Sequence, residues 1–165
     1  MGIKKTEDQQ LKRFVPELIS PQHTHSIPKE FVGNGMSYQW ETNLDKINII
    51  RNGLTYQAIE VIAQRANASI KQFLDMLQIP QTTYNKKKRD GALLDGHSTE
   101  LLLAINDLIA WGEEVFNQEL AKFHHWLKSP NLSMGNVAPE SLLDSMTGVQ
   151  VVRDALDRIE YGNFA

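Results

Sequence analysis

The chain has 165 residues, of which 41% are hydrophobic, and a net charge of −3. This length allows one domain or two small ones with a buried core, and the hydrophobic share excludes a disordered tail. No stretch reaches the roughly eighteen apolar residues of a membrane span, and the charged start lacks the apolar stretch of a signal peptide. The chain has no cysteine, which excludes disulfides and cysteine-based zinc sites. We therefore expect a cytoplasmic protein that does not bind membranes.

The charge is distributed unevenly along the chain. Residues 1–45 carry five Lys/Arg against six Asp/Glu, residues 46–96 carry eight against four (net +4), and residues 97–165 carry four against ten (net −6). A basic middle and an acidic end indicate two different partners. The alternative is that surface charge fluctuates along the chain without functional meaning.

The first part of the chain, residues 1–47, is predicted to be an arm or a poorly ordered lead-in. It contains three prolines within "PELISPQHTHSIP", a turn signal "GNG", and no apolar repeat of either the helical or the strand period. Nowhere in the chain does a pair of alternating segments flank a hairpin turn, so no strands are predicted.

Three helices are predicted in the middle of the chain. The first has apolar residues at helical spacings behind Thr55, which could serve as its N-cap. The second is short and opens with Ser69 and Gln72, at the spacing of a capping box. The third follows almost at once, because Pro80 suits the first turn of a helix and Gly91 suits a C-terminal cap.

The longest periodic segment follows, over residues 98–116, and its apolar residues fit one buried helical stripe. Asn117 and Gln118 are predicted to form a turn. The next helix, within "ELAKFHHWLKSPN", should end before Pro130, because the residue ahead of a proline disfavours helical geometry.

A brief turn and one more helix are predicted at the end of the chain. Pro139 starts the turn in "PESLLDS", and Thr147 with Gln150 has the spacing of a second capping box. The final helix should end at Gly162. The sequence therefore predicts an all-α protein.

Two short helices joined by a tight turn, over residues 69–89, have the shape of a helix-turn-helix, whose second helix lies in the DNA major groove. The start of that helix would reach base edges, and its basic end would meet phosphates. The alternative is an ordinary helical hairpin with a solvated basic face, and Gln78 stands where such turns often have glycine. The candidate DNA-binding residues are Gln81, Thr82, Thr83, Asn85, Lys86, Lys87, Lys88 and Arg89.

The sequence contains no pattern typical of an enzyme. Among the five histidines, His23 and His25 lie in the arm, His97 precedes a helix, and His124 and His125 are predicted to divide between the core and the solvent. No two have the spacing of a helical metal site, and no phosphate-binding glycine motif is present. We therefore predict no catalytic residues, no metal site and no cofactor.

The segment "WLKSPNLSMGNVAPESLLDSMTGVQVVRDALDRIEYGNFA", residues 126–165, resembles a known family. It is similar to the C-terminal toxin-binding domain of the Xre-type antitoxins that accompany RES-domain toxins, a group that includes the MbcA and ParS antitoxins. With "RNGL" at residues 51–54 and the helix-turn-helix, the resemblance covers about residues 48–165.

The resemblance implies a non-enzymatic antitoxin that forms a homodimer, binds the promoter of its own operon as a repressor, and inhibits a toxin within a larger complex. Residues 48–117 would bind DNA and mediate dimerisation, and residues 118–165 would bind a RES-domain toxin that degrades NAD. Inhibition would be steric, at the NAD-binding cleft. The implied toxin-binding residues are Arg158, Glu160, Tyr161, Gly162, Asn163, Phe164 and Ala165.

Three questions stay open at this point. The toxin could instead modify a protein, as the resemblance to the ParS group allows, and the chain could be a stand-alone transcriptional regulator. The third concerns Tyr161 and Phe164, whose rings could face the partner or fold back on their own helix, as side chains near glycine caps often do.

Overall fold

The computed structural model describes residues 30–33 and 36–162. Within these residues the chain forms seven α-helices, two short strands and two 3₁₀ turns. The strands are β1 (Glu30–Gly33) and β2 (Met36–Gln39), and the 3₁₀ turns are Leu132–Met134 and Pro139–Leu142. The helices are α1 (Asn43–Asn52), α2 (Gln57–Arg65), α3 (Ile70–Met76), α4 (Gln81–Arg89), α5 (Gly96–Val115), α6 (Leu120–Lys128) and α7 (Met146–Tyr161). The predicted all-α class is confirmed, with one small hairpin added.

The hairpin shows that the prediction of no strands is wrong at this place. β1 and β2 are antiparallel, with Glu30 opposite Gln39 and Phe31 opposite Tyr38. Phe31 and Trp40 are buried in the helical core, and β1 packs against α2. Strands of four residues are too short to be recognised from alternation, and their stability comes from this tertiary burial.

The first helix, α1, begins inside the segment predicted as an arm. Its N-cap is a capping box in which Asp45 N donates to Thr42 Oγ1 at 3.2 Å and Thr42 N donates to Asp45 Oδ2 at 2.9 Å. Hydrogen bonds from the Thr42 hydroxyl and backbone lower the pKa of the Asp45 carboxyl. Residues 1–29 of the arm, with His23 and His25, lie outside the described residues.

Four helices, α2 to α5, end with the same arrangement, a Schellman motif. In α3, for example, Ile79 N donates to Leu74 O at 2.9 Å. Gln78, which lies between the C-cap Leu77 and Ile79, has the left-handed backbone conformation. The predicted cap at Gly91 and turn at residues 117–118 are confirmed. The left-handed residues are Asn67, Gln78, Gly91 and Asn117, with φ of +51°, +55°, +65° and +52°.

The helix starts in the middle of the chain agree only in part with the prediction. The capping box of Ser69 and Gln72 is present, with Gln72 N donating to Ser69 Oγ at 3.2 Å. Thr55 is not the N-cap of α2, which follows Tyr56 without a side-chain cap. Thr55 instead pairs with Leu93 in an isolated antiparallel bridge. This bridge joins the loop before α2 to the loop before α5.

The predicted capping box of Thr147 and Gln150 is also wrong. Ser145 is the N-cap of α7, and its Oγ accepts from Gly148 N at 3.2 Å. Gly148 lies against the second 3₁₀ turn so closely that an added Cβ would lie 1.7 Å from Leu142 O. Ser145 and Thr147 are both suited to cap the start of α7. The close packing of Gly148 against Leu142 favours a start after Ser145.

The long helix α5 is the centre of the core and packs against α1, α2, α6 and α7. It starts at Gly96, two residues before the predicted start, because Asp95 Oδ1 accepts from Ser98 N at 2.9 Å as an N-cap. At Gly112 the ring of Phe123 approaches within 2.1 Å of where a Cβ would be. The predicted apolar stripe is confirmed except at its last residue, Phe116, which is half-buried and is the C-cap of the helix. Its buried members are Leu101, Leu102, Ile105, Leu108, Ile109 and Val115.

Candidate functional site

The predicted pair of short helices, α3 and α4, is present, and the two helices are in contact. The turn between them needs a left-handed residue, a conformation that glycine adopts at low cost. Gln78 takes this conformation, with φ of +55°. The turn therefore forms without glycine, so the objection that Gln78 raised to a helix-turn-helix does not hold.

Helix α4 presents a polar and basic surface to solvent. Only Tyr84 of its nine residues is buried. Gln81 Nε2 donates to Asn85 Oδ1 at 3.0 Å, so these two amides lie side by side one turn apart. Seven of the eight predicted DNA-binding residues are exposed, namely Gln81, Thr82, Thr83, Asn85, Lys86, Lys87 and Arg89.

The eighth predicted residue, Lys88, has a different environment. Its Nζ lies 2.5 Å from Glu60 Oε1 on α2, and the same carboxylate oxygen accepts from Tyr84 Oη at 2.8 Å. Burial and the hydrogen bond to Glu60 raise the pKa of the Tyr84 hydroxyl. Glu60 thus fastens α4 to α2, and the charge of Lys88 is largely balanced within the protein.

Helix α7 is held firmly on the core. Trp111 Nε1 of α5 donates to Asp157 Oδ1 at 2.8 Å, and Val149, Val152 and Leu156 are buried. Helix α6 contacts the carboxyl end of α2 through two side chains. The His124 ring lies 3.0 Å from Arg65 O, and Lys128 Nζ donates to Asn67 O at 2.6 Å.

The residues that the resemblance implies for toxin binding lie at the end of α7. Arg158 and Glu160 are exposed, and Tyr161 has a relative exposure of 42%. Burial, together with the charges of Asp157 and Glu160, raises the pKa of Tyr161, while Arg153 opposes the shift.

Tyr161 is therefore accessible at the surface at the end of α7. Gly162 follows in the left-handed conformation, with φ of +63°, as predicted for a cap. Asn163, Phe164 and Ala165 lie outside the described residues.

Three histidines, His97, His124 and His125, lie within the described residues. His124 is half-buried and His125 is exposed, so the two divide between core and solvent as predicted, and His97 is exposed. Within residues 30–33 and 36–162, no three His, Cys, Asp or Glu side chains form a group that could hold a metal ion.

Glu60 is a residue that the sequence analysis missed. It lies 24 residues before Tyr84 and 28 before Lys88, so no local pattern could have linked it to α4.

Comparison with known proteins identifies the C-terminal part. Residues 112–162 match the antitoxin Xre/MbcA/ParS C-terminal toxin-binding domain. An "Antitoxin Xre" from Yersinia enterocolitica is 22% identical over 119 residues, which are 72% of this chain and 80% of the relative. The chain is therefore similar to the Xre/MbcA/ParS-type antitoxins, and residues 112–162 match their toxin-binding domain. The resemblance found in the sequence is thereby confirmed.

Two further relatives are similar to this chain over most of both lengths. The "Prs ADP-ribosylating antitoxin" of a Sphingobium species is 28% identical over 130 residues, 74% of this chain and 82% of the relative. An "Antitoxin Xre" from Photorhabdus laumondii is 23% identical over 114 residues, 69% of this chain and 77% of the relative. These matches extend well beyond the toxin-binding domain.

In the described part of the chain, none of the helices is both long enough and apolar enough to cross a membrane.

Proposed function

We propose that this antitoxin neutralises a cognate toxin of the ADP-ribosyltransferase-like type by covering its NAD-binding cleft. The observation that carries the proposal is the match of residues 112–162 to a toxin-binding domain. The antitoxin would act by binding alone, without a cofactor, in the cytoplasm where the toxin meets NAD.

The proposed contact is the end of α7. Arg158, Glu160 and Tyr161 are exposed there on a helix that the Trp111–Asp157 hydrogen bond fixes to the core. A helix backbone that is already ordered loses little conformational entropy on binding, and tyrosine is common among the residues that dominate interface energies. Asn163, Phe164 and Ala165 would follow this surface into the cleft.

The leading candidate for the toxin is a RES-domain protein that degrades NAD. A second candidate is a toxin that attaches ADP-ribose to a protein, and the name of the Sphingobium relative, "Prs ADP-ribosylating antitoxin", favours it. Because both toxins would use NAD, coverage of the NAD-binding cleft would inhibit either of them.

The same antitoxin is proposed to repress its own operon through α4. Seven polar or basic residues of this helix are exposed, of which Lys86, Lys87 and Arg89 are cations suited to phosphate contacts. A homodimer would present two copies of α4 to two half-sites, as helix-turn-helix dimers do. The charge supports a division of tasks, because residues 46–96 have a net charge of +4 and residues 97–165 a net charge of −6.

The test is co-expression with the toxin encoded by the adjacent gene. We expect that the toxin alone stops growth and that the antitoxin restores it. Cellular NAD distinguishes the two candidates, since a RES-domain toxin depletes NAD and a protein-modifying toxin leaves ADP-ribosylated protein. If the well-expressed antitoxin restores neither growth nor NAD but still binds its promoter, a stand-alone regulator is the better description.

A further inference from the structure

The loop between α6 and the second 3₁₀ turn, residues 131–137, is closed by hydrogen bonds to one residue. Asn131 N donates to Val137 O at 3.0 Å, and Asn131 O accepts from Asn136 N at 2.9 Å. The side-chain Oδ1 of Asn131 accepts from Ser133 N at 2.9 Å and from Ser133 Oγ at 2.8 Å. Met134 is buried beneath the loop. Backbone and side-chain hydrogen bonds of Asn131 therefore fix the conformation of the loop.

Leu132 lies on this loop with a relative exposure of 87%, the largest among the exposed large hydrophobic residues of the described chain. A single exposed leucine is ordinary on a protein surface. This one is the first residue of the 3₁₀ turn, between the hydrogen-bonded Asn131 and the buried Met134, so its backbone position is fixed. Val137, opposite Asn131 in the bridge, is a second exposed apolar side chain, at 38%.

The surroundings of the loop indicate what covers Leu132. Its 3₁₀ turn packs against α7, the helix that carries the proposed toxin contact. Six of the ten exposed large hydrophobic residues in the described chain lie within the matched residues 112–162. The same range carries eight Asp/Glu against four Lys/Arg, a net charge of −4. Its partner should therefore have an apolar pocket within a basic surface.

We infer that Leu132 is an anchor of the toxin complex, and that it inserts into an apolar pocket with a basic rim on the toxin. This inference rests on the proposed function and adds a contact that is separate from the chain terminus. Apolar anchors filling a pocket carry much of the energy of protein interfaces. A fixed loop gives the anchor little entropy to lose.

The experiment compares Leu132→Ala with a matched control, Leu44→Ala. Leu44 is an exposed leucine, at 71%, on the first turn of α1 and outside the matched residues 112–162. Both variants should melt at the wild-type temperature, because neither substitution opens a cavity in the core. The probe is the toxin encoded by the adjacent gene, in a catalytically inactive form, titrated by calorimetry. Leu132→Ala should raise Kd roughly 10- to 100-fold, and Leu44→Ala less than about twofold.

Equal effects of the two substitutions would overturn the inference. It would also fail if Leu132→Ala left toxin binding unchanged but weakened self-association in sedimentation experiments, because Leu132 would then contact a second copy of the chain. If the wild-type antitoxin binds no toxin, the proposed function fails and the inference fails with it. Normal toxin binding by all three proteins overturns the inference alone.

Discussion

The cations of α4 allow a sharp prediction, because the structure divides them into two groups. Lys86, Lys87 and Arg89 are exposed, whereas the Nζ of Lys88 is 2.5 Å from Glu60 Oε1. If α4 binds operator DNA, the exposed cations neutralise phosphates and release counterions. Lys88 should contribute little, since its charge is already balanced. We therefore expect Lys86 and Lys88, two lysines of the same helix, to behave differently.

The magnitude follows from counterion release. Each lost phosphate contact lowers the slope of log K against log salt by about 0.9, so replacing all three exposed cations with alanine lowers it by about 2.7. Between 50 and 200 mM salt, the affinity of this variant should then fall roughly 40-fold less than that of the wild type. Lys88→Ala should leave the slope nearly unchanged and cost less than about 1 kcal/mol of stability, because its ion pair is partly exposed.

The assay is fluorescence anisotropy with a labelled promoter fragment at four or more salt concentrations. Lys86→Ala and Lys88→Ala form the matched pair, and melting temperatures check that both variants fold. A slope change at Lys88 as large as that at Lys86 would refute the division of charges. An unchanged slope in the triple variant would show that α4 does not contact phosphates.

Three further predictions concern stability and the chain terminus. Gly148→Ala should destabilise the protein by at least about 2 kcal/mol in urea unfolding, because its Cβ would meet the backbone carbonyl of Leu142, which cannot move aside; a wild-type midpoint would contradict this close approach. Asp95→Ala should cost about 1 kcal/mol at pH 7 through loss of the N-cap of α5. The hydrogen bond from Ser98 lowers the pKa of Asp95 from 3.8, so this stability is present above that value and is lost as pH falls below it; a cost that stays constant down to pH 2 would argue against the cap. Removal of residues 162–165 should weaken toxin inhibition while promoter binding stays within about twofold, and equal loss of both would indicate a folding defect instead.

Local patterns in the sequence were sufficient for much of the helical structure. The capping box at Ser69 and the cap at Gly91 depend on residues a few positions apart, so they could be recognised without knowledge of the fold. The long apolar stripe of α5 was recognised for the same reason. Where two local signals competed, as at Ser145 and Thr147, tertiary packing decided between them.

Other features depend on contacts between distant residues. The hairpin is stabilised by burial of Phe31 and Trp40 in a helical core that no local pattern describes. Glu60 contacts α4 across a separation of 28 residues. Leu132 lies in a segment rich in Ser, Asn and Gly that is typical of a loop, and its exposure follows from hydrogen bonds that become apparent only in three dimensions.

The proposed function requires that the chain cover the NAD-binding cleft of a toxin. The most direct measurement is calorimetric titration of a non-hydrolysable NAD analogue into the catalytically inactive toxin, alone and in complex with the antitoxin. The free toxin should bind the analogue, and the complex should bind none, or only as the antitoxin is displaced. Equal binding of the analogue to the free toxin and to the complex would contradict the claim.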